Sequence, residues 1–275
     1  MRYMSRIPPF LRGVFSSRQG GIVQRLEHAL VPLSLAVLLL FVIVGIDRSV
    51  WLDEAYSIFV SNHNFAGIAE QLRNDNNLPA YYYLLAIWMR VFGDSEVATR
   101  ALSGVFYICS TVATFLLGLS LFRDRRTALY GAFFYLVSTQ AIYHAQNVRM
   151  YSFLSFLTAL STLTFFKLFP DGSRGRWAWI LYIAVNALGL LTHVWFLFVL
   201  VAQGAALVLW LPRISWKKYL LATCVSGLPF LWLWLPFFQE QLHNGATAWM
   251  PPFQLRFVPD ALLQFYGGFP RGLMF

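Results

Sequence analysis

The feature that most constrains this chain is a succession of apolar runs, each about 18–20 residues long and so able to cross a bilayer. Short segments between the runs hold most of the charge. Over 275 residues the chain is 58% hydrophobic and only 12% charged. A soluble domain of this length would show amphipathic stripes and more charge. The expected class is an all-α polytopic membrane protein of about seven transmembrane helices, with juxtamembrane or re-entrant helices in the first external loop. The net charge of +9 does not indicate nucleic acid, because a nucleic-acid binder gathers Lys and Arg on one soluble face. Here they punctuate the spans, as the positive-inside bias requires. Cys109 and Cys224 both fall in apolar runs and read as small core residues rather than a disulfide.

Residues 1–28 carry Arg2, Arg6, Arg12, Arg18 and Arg25 and are expected to be a basic cytoplasmic segment. Residues 29–275 form the membrane module. Residues 29–46 are the expected first span, a signal anchor running outward, with Pro32 tolerated in its first turn. Residues 47–79 form a polar external loop. Within it Ile58, Phe59, Phe65, Ile68, Ala69 and Leu72 suggest one or two amphipathic helices along the membrane surface. Residues 80–93 are too short to cross and read as a re-entrant or interfacial helix rich in Tyr and Trp. The remaining spans are expected at 98–122, 127–143, 152–169, 177–192, 195–211 and 219–238. This topology puts 14 of the 21 Lys and Arg inside and 9 of the 12 acids outside. Both biases predict a plasma-membrane protein with its N-terminus in the cytoplasm and the 47–79 loop on the outer, periplasmic side.

Four clusters can carry chemistry. Asp53-Glu54, in the stretch WLDEAYS, sits where the first span emerges. A partly desolvated carboxylate there is an effective base at neutral pH, and two adjacent acids are also the minimum for a divalent cation such as Mg or Mn. Solvated loop charges are the plainer reading, but Trp51, Tyr56 and Phe59 would pin the loop in the interface. The second cluster runs from Tyr143 to Tyr151 and includes His144, Gln146 and Arg149. Arg149 is an outside cation in a chain that otherwise keeps cations inside, and a guanidinium can clamp a phosphate; a snorkelling Arg is the alternative. The third is Thr192-His193, where a lone His at a helix end is ordinarily structural. The fourth is Asn76-Asn77-Leu78-Pro79-Ala80-Tyr81-Tyr82-Tyr83, whose amides and phenols suit sugar hydroxyls and whose rings also suit an interfacial belt.

Taken in chain order, the clusters resemble the GT-C membrane glycosyltransferases, and most of all the family-39-like branch of protein O-mannosyltransferases and aminoarabinose transferases. The matching elements are WLDEAYS, NNLPAYYYLL, WMRVFGDSEVATR (Trp88, Phe92, Gly93, Ser95, Glu96, Arg100), the Gln146–Arg149–Met150–Tyr151 element, and Thr192-His193. Together they cover about residues 45–265. The branch carries an acid after the Gln of the fourth element, where this chain has Asn147. The chain also stops at Phe275 inside an external stretch, which reads as an incomplete catalytic module.

The resemblance implies a sugar on a polyprenyl phosphate as donor and a glycan, lipid or protein hydroxyl as acceptor. Asp53 would be the base of an inverting transfer and Glu54 would orient Asp53 or the acceptor. Arg149, with Arg256 or His144, would stabilise the leaving phosphate. Tyr56, Asn77, Tyr81, Tyr82, Gln146, Tyr151 and His193 would complete the binding site among membrane lipids. Two other readings compete: a lipid or sugar-lipid flippase, and an inactive subunit that works through a partner chain. Transporters place ionisable groups at mid-membrane, whereas the acids here gather at the external ends of spans.

Overall fold

The computed structural model describes residues 49–73, 75–169, 175–210 and 216–243, with Gln254 and Pro259 standing alone. The expected N-terminal segment 1–28, the first span 29–46, most of the turn from Asp171, and the closing external stretch with Arg256 lie outside these residues. Every regular element among the described residues is helical. The order is α1 (Leu52–Ser61), α2 (Phe65–Arg73), α3 (Pro79–Phe92), α4 (Glu96–Phe122), α5 (Arg125–Leu136), α6 (Thr139–Ala145), α7 (Tyr151–Leu168), α8 (Arg176–Thr192), α9 (Phe196–Trp210), α10 (Trp216–Pro229), a π-turn at Phe230–Trp234, and α11 (Leu235–His243).

Among the described residues, three helices are long and apolar enough to cross a membrane: Glu96–Phe122, Tyr151–Leu168 and the continuous run Trp216–His243. Two shorter apolar helices, Arg176–Thr192 and Phe196–Leu209, lie between the last two. The expected span at 127–143 is not one helix. It breaks at Val137–Ser138, where the Ser138 hydroxyl caps the new helix at Ala141 N–H, 3.5 Å away. The break frees the Leu136 carbonyl, and the buried Tyr107 hydroxyl donates to it. That compensation is required where water is scarce, since an unpaired carbonyl in hydrocarbon is costly.

Local chemistry sets the corners. Ser95 caps α4 through Ala98 N–H at 3.2 Å. At the other end Arg123 takes a left-handed conformation (φ 53°). Asp124 then caps α5, accepting from the Thr127 amide at 2.8 Å and its hydroxyl at 2.7 Å. This tight reversal lays α5 against α4 so closely that a Cβ on Gly118 would sit 2.9 Å from the Ala128 Cα. The 14-residue α3 extends only about 21 Å at 1.5 Å per residue, short of a ~30 Å hydrocarbon core. It starts with Pro79 at its first turn, where the missing N–H is not needed, and stops at Gly93 (φ 85°). Where the sequence suggests one or two helices between Glu54 and Arg73, the chain forms two, α1 and α2.

Two features organise the interior of the bundle. A chain of buried hydrogen bonds joins α7, α8 and α9. Tyr182 Oη donates to Gln203 Oε1 (2.7 Å), Gln203 Nε2 to Ser161 Oγ (2.9 Å), and Ser161 Oγ to Asn186 Oδ1 (2.6 Å). Nearby, Phe196 is fully buried against Gly189, where an added Cβ would meet its ring at 2.5 Å. At the end of α10, Pro229 has no N–H to give and its ring crowds the preceding turn. The five residues that follow adopt the wider π spacing, a local widening often found near functional sites.

Candidate active site around Asp53 and Arg149

α1 begins right after Trp51, so Asp53 and Glu54 both lie in its first turn, where carboxylates favour the positive end of the helix dipole. Successive helical residues point about 100° apart, and the two acids diverge. Glu54 turns inward with Ser57 and Ser61, at helical spacing, and is fully buried. Its Oε1 accepts from Arg100 Nε at 3.0 Å and from Val148 N–H at 2.9 Å. Its Oε2 accepts from Arg100 at 2.7 Å and Trp51 N–H at 3.3 Å. Burial alone would raise the Glu54 carboxyl, but these hydrogen bonds and the Arg100 charge outweigh it and hold the carboxyl below its ordinary range.

This geometry changes the expected use of the acidic pair. Both Glu54 oxygens already take two donors, so Glu54 has no acceptor position left for a cation, and it faces Arg100 rather than Asp53. A Mg or Mn ion shared by Asp53 and Glu54 does not fit this donor set. Among the described residues no three His, Cys, Asp or Glu side chains gather in a way that could hold a metal. Asp53 stays half-buried at the edge of the site.

The Glu54–Arg100 pair positions the second cluster. Val148 is tied to Glu54. The Asn147 carbonyl accepts from Ser103 Oγ at 2.7 Å, and the Asn147 amide donates to the Tyr143 carbonyl at 2.9 Å. Asn147, which stands where the family carries an acid, is a buried strut of this loop. The strut directs Arg149 into the electrostatic neighbourhood of Asp53, Tyr82 and Tyr151. Burial works against its charge, but these neighbours more than offset that. Arg149 Nε is buried without a hydrogen-bond partner, as are the hydroxyls of Tyr81 and Tyr82 and His144 Nδ1. A buried N–H or O–H without a partner costs about 1–3 kcal/mol. Several beside one guanidinium make a cradle suited to an anion.

Aromatic rings continue this wall. Tyr143 and His144 are 5.3 Å apart by ring centroid, His144 and Tyr151 4.5 Å, Tyr151 and His193 6.2 Å, and His193 and Trp195 5.2 Å. His193 Nδ1 accepts from Trp195 N–H at 3.1 Å, so in the neutral ring Nε2 carries the proton and is the free donor. Burial lowers the pKa of both His144 and His193, and the Arg149 charge lowers that of His193 further.

A further carboxylate, Asp75, lies in the turn between α2 and α3 and belongs to none of the four sequence clusters. Asp75 Oδ1 accepts from Asn76 N–H at 2.7 Å and Oδ2 from Asn77 Nδ2 at 2.5 Å. Asp75 also lies close enough to Tyr56 and Tyr82 to act on both phenols electrostatically. Burial first, and then Asp75, push the Tyr56 phenol well above its ordinary value. Asp53, Tyr56, Tyr82, Arg149, Tyr151 and His193 therefore share one electrostatic site, with Tyr81 beside Ser103 at its base. His144 joins through Tyr151. Asn77 is buried and spends its amide on Asp75, so it shapes the turn. Gln146 closes α6 through its backbone N–H. Two signals could have marked these residues: Asp75 is an acid in the turn NDNN, and Arg100 is a cation near the start of an apolar helix, which demands a partner.

A family profile described as dolichyl-phosphate-mannose-protein mannosyltransferase matches residues 76–237. No curated protein and no solved structure matched the chain. The profile covers the Asn77–Tyr83 element, Arg100, the Arg149 loop and His193 in one continuous stretch. The chain belongs to the dolichyl-phosphate-mannose-protein mannosyltransferase family, within the GT-C membrane glycosyltransferases.

Proposed function

We propose that this protein transfers a sugar from a polyprenyl-phosphate donor to an acceptor hydroxyl at the outer face of the membrane, with inversion at the anomeric carbon. One observation carries the reading: the half-buried Arg149, whose Nε is buried without a hydrogen-bond partner, stands in the field of Asp53 and Tyr82. Asp53 takes the proton from the acceptor hydroxyl. The acceptor oxygen bonds to the anomeric carbon as the bond from that carbon to the phosphate oxygen breaks. The electron pair leaves on the lipid phosphate, where the Arg149 guanidinium and the Tyr82 hydroxyl meet the growing charge. Asp75 and Tyr56 hold hydroxyls of the sugar. The outer-face assignment rests on the charge distribution of the sequence.

The test is turnover of a panel of polyprenyl-phosphate sugars by the full chain in lipid nanodiscs, wild type beside Asp53→Asn. The expected result is consumption of at least one donor by wild type. The variant should lose about 10²–10⁴-fold in rate, the usual contribution of a general base, while still binding the donor. Full turnover by folded Asp53→Asn removes Asp53 as base. Donor binding with transbilayer movement but no sugar–phosphate cleavage would make the chain a flippase instead.

A further inference from the structure

We propose that Gln241, beyond the matched family region, is a positioning residue that latches the Asp75 turn onto the last helix. The inference rests on the transfer reaction proposed above. Gln241 is 2% exposed. Its Nε2 donates to the Leu72 carbonyl at 2.7 Å and the Asn77 carbonyl at 3.1 Å. These two carbonyls bracket the turn that carries Asp75. The Leu72 carbonyl also accepts from the Asp75 N–H at 3.2 Å, so Gln241 secures the oxygen that orients the Asp75 backbone.

Both partners are carbonyls, so the NH2 end of the amide must face them. The other end, Oε1, is buried and accepts nothing. A side chain kept for packing alone would not bury an unpaired amide oxygen. The neighbours repeat the grip. Glu240 meets Arg73 at 3.2 Å, and Arg73 lies over the Phe237 ring at 5.0 Å.

The π-turn supplies the register. One residue of α-helix turns the chain by about 100°, so the wider spacing after Pro229 decides which face of α11 meets the first external loop. With it, Phe237, Glu240 and Gln241 all reach the end of α2 and the turn beyond it. The carboxylate they hold faces Tyr56 and Tyr82 across the site. Gln241 thereby acts on substrate through Asp75.

The experiment uses the full chain in nanodiscs with Gln241→Leu, Gln241→Asn, Asp75→Asn, and the double variant Gln241→Leu with Asp75→Asn. Amide hydrogen exchange at Asp75 and Asn76 is read without substrate, and KM and kcat are read with the best polyprenyl-phosphate sugar. Gln241→Leu is expected to lose protection at both amides and to raise donor KM about tenfold, the scale of one lost hydrogen bond to substrate. Its kcat should change much less. Gln241→Asn, one methylene short, should fall between it and wild type. The double variant should be no worse than Asp75→Asn, since coupled residues are not additive. Unchanged exchange in both Gln241 variants, or a double variant whose KM multiplies the two single effects, overturns the latch. If wild type turns over no donor, the proposed reaction falls and the exchange data alone decide the latch.

Discussion

Removing the charge of Glu54 while keeping its shape should be among the most damaging single changes in this protein. Glu54 and Arg100 have fully buried side chains, and Glu54 answers four donors. In Glu54→Gln the amide oxygen can satisfy one side of that arrangement, while its NH2 confronts N–H donors on the other. Arg100 then holds a buried charge with its counter-ion gone. Breaking a buried pair in this way costs about 3–5 kcal/mol. Replacing both members, Glu54→Gln with Arg100→Met, removes the stranded charge; the amide oxygen can then take the Val148 N–H, leaving mainly the amide NH2 opposite the Trp51 N–H, at about 1–3 kcal/mol. The double variant should therefore be more stable than Glu54→Gln alone. Reversible unfolding in mixed micelles measures the order of the three proteins. Transfer activity should fall in both variants, because Val148 and the Arg149 beside it lose the charged carboxylate that anchors them. A loss below about 1 kcal/mol in Glu54→Gln, or a double variant less stable than the single, would refute the role assigned to this pair.

Acid should act on the same pair. The folded state holds the Glu54 carboxyl below its ordinary value, so it binds fewer protons than the unfolded chain. The stabilisation is complete above the ordinary glutamate range and is lost as pH falls through the lowered value. The unfolding midpoint should drop below about pH 4 in wild type and drop less in Glu54→Gln. Arg149→Lys keeps the charge but loses the planar fork and should lower kcat/KM for the donor by about 10- to 100-fold, measured by initial rates. Gly189→Ala would drive a methyl into the Phe196 ring and should cost about 1–3 kcal/mol of stability by overpacking, read in the same micelle unfolding assay.

Much of the membrane core was legible in the apolar runs. The helices at 96–122, 151–168, 176–192 and 196–210 fall close to where run length and flanking charge put them. The break at Val137–Ser138 was not legible, because its compensation comes from Tyr107 on another helix. Within the site, Arg149 stood out as a cation on the wrong side of the charge bias, and it lies in the field of Asp53. Asp53 and Glu54 could not be told apart in the sequence. Only the start of α1 at Leu52 turns one toward Arg149 and the other toward Arg100, 46 residues away. Asp75 looked like turn chemistry, and it is that as well, since it caps its own turn while facing Tyr56. Gln241 is separated from Leu72 by 169 residues, a distance over which a local pattern carries no information.

The buried hydrogen-bond chain through Tyr182, Gln203, Ser161 and Asn186 bears on how the protein is made. The helices carrying Ser161, Tyr182 and Asn186 are synthesised before the one carrying Gln203. Until Gln203 enters the bilayer, the Tyr182 hydroxyl lacks its acceptor and Ser161 its donor, in a solvent that offers little replacement. A nascent chain halted before residue 203 thus leaves these polar groups without the partner that a completed one supplies. Membrane proteases and chaperones that sample such groups have a chemical means of telling an unfinished copy from a finished one.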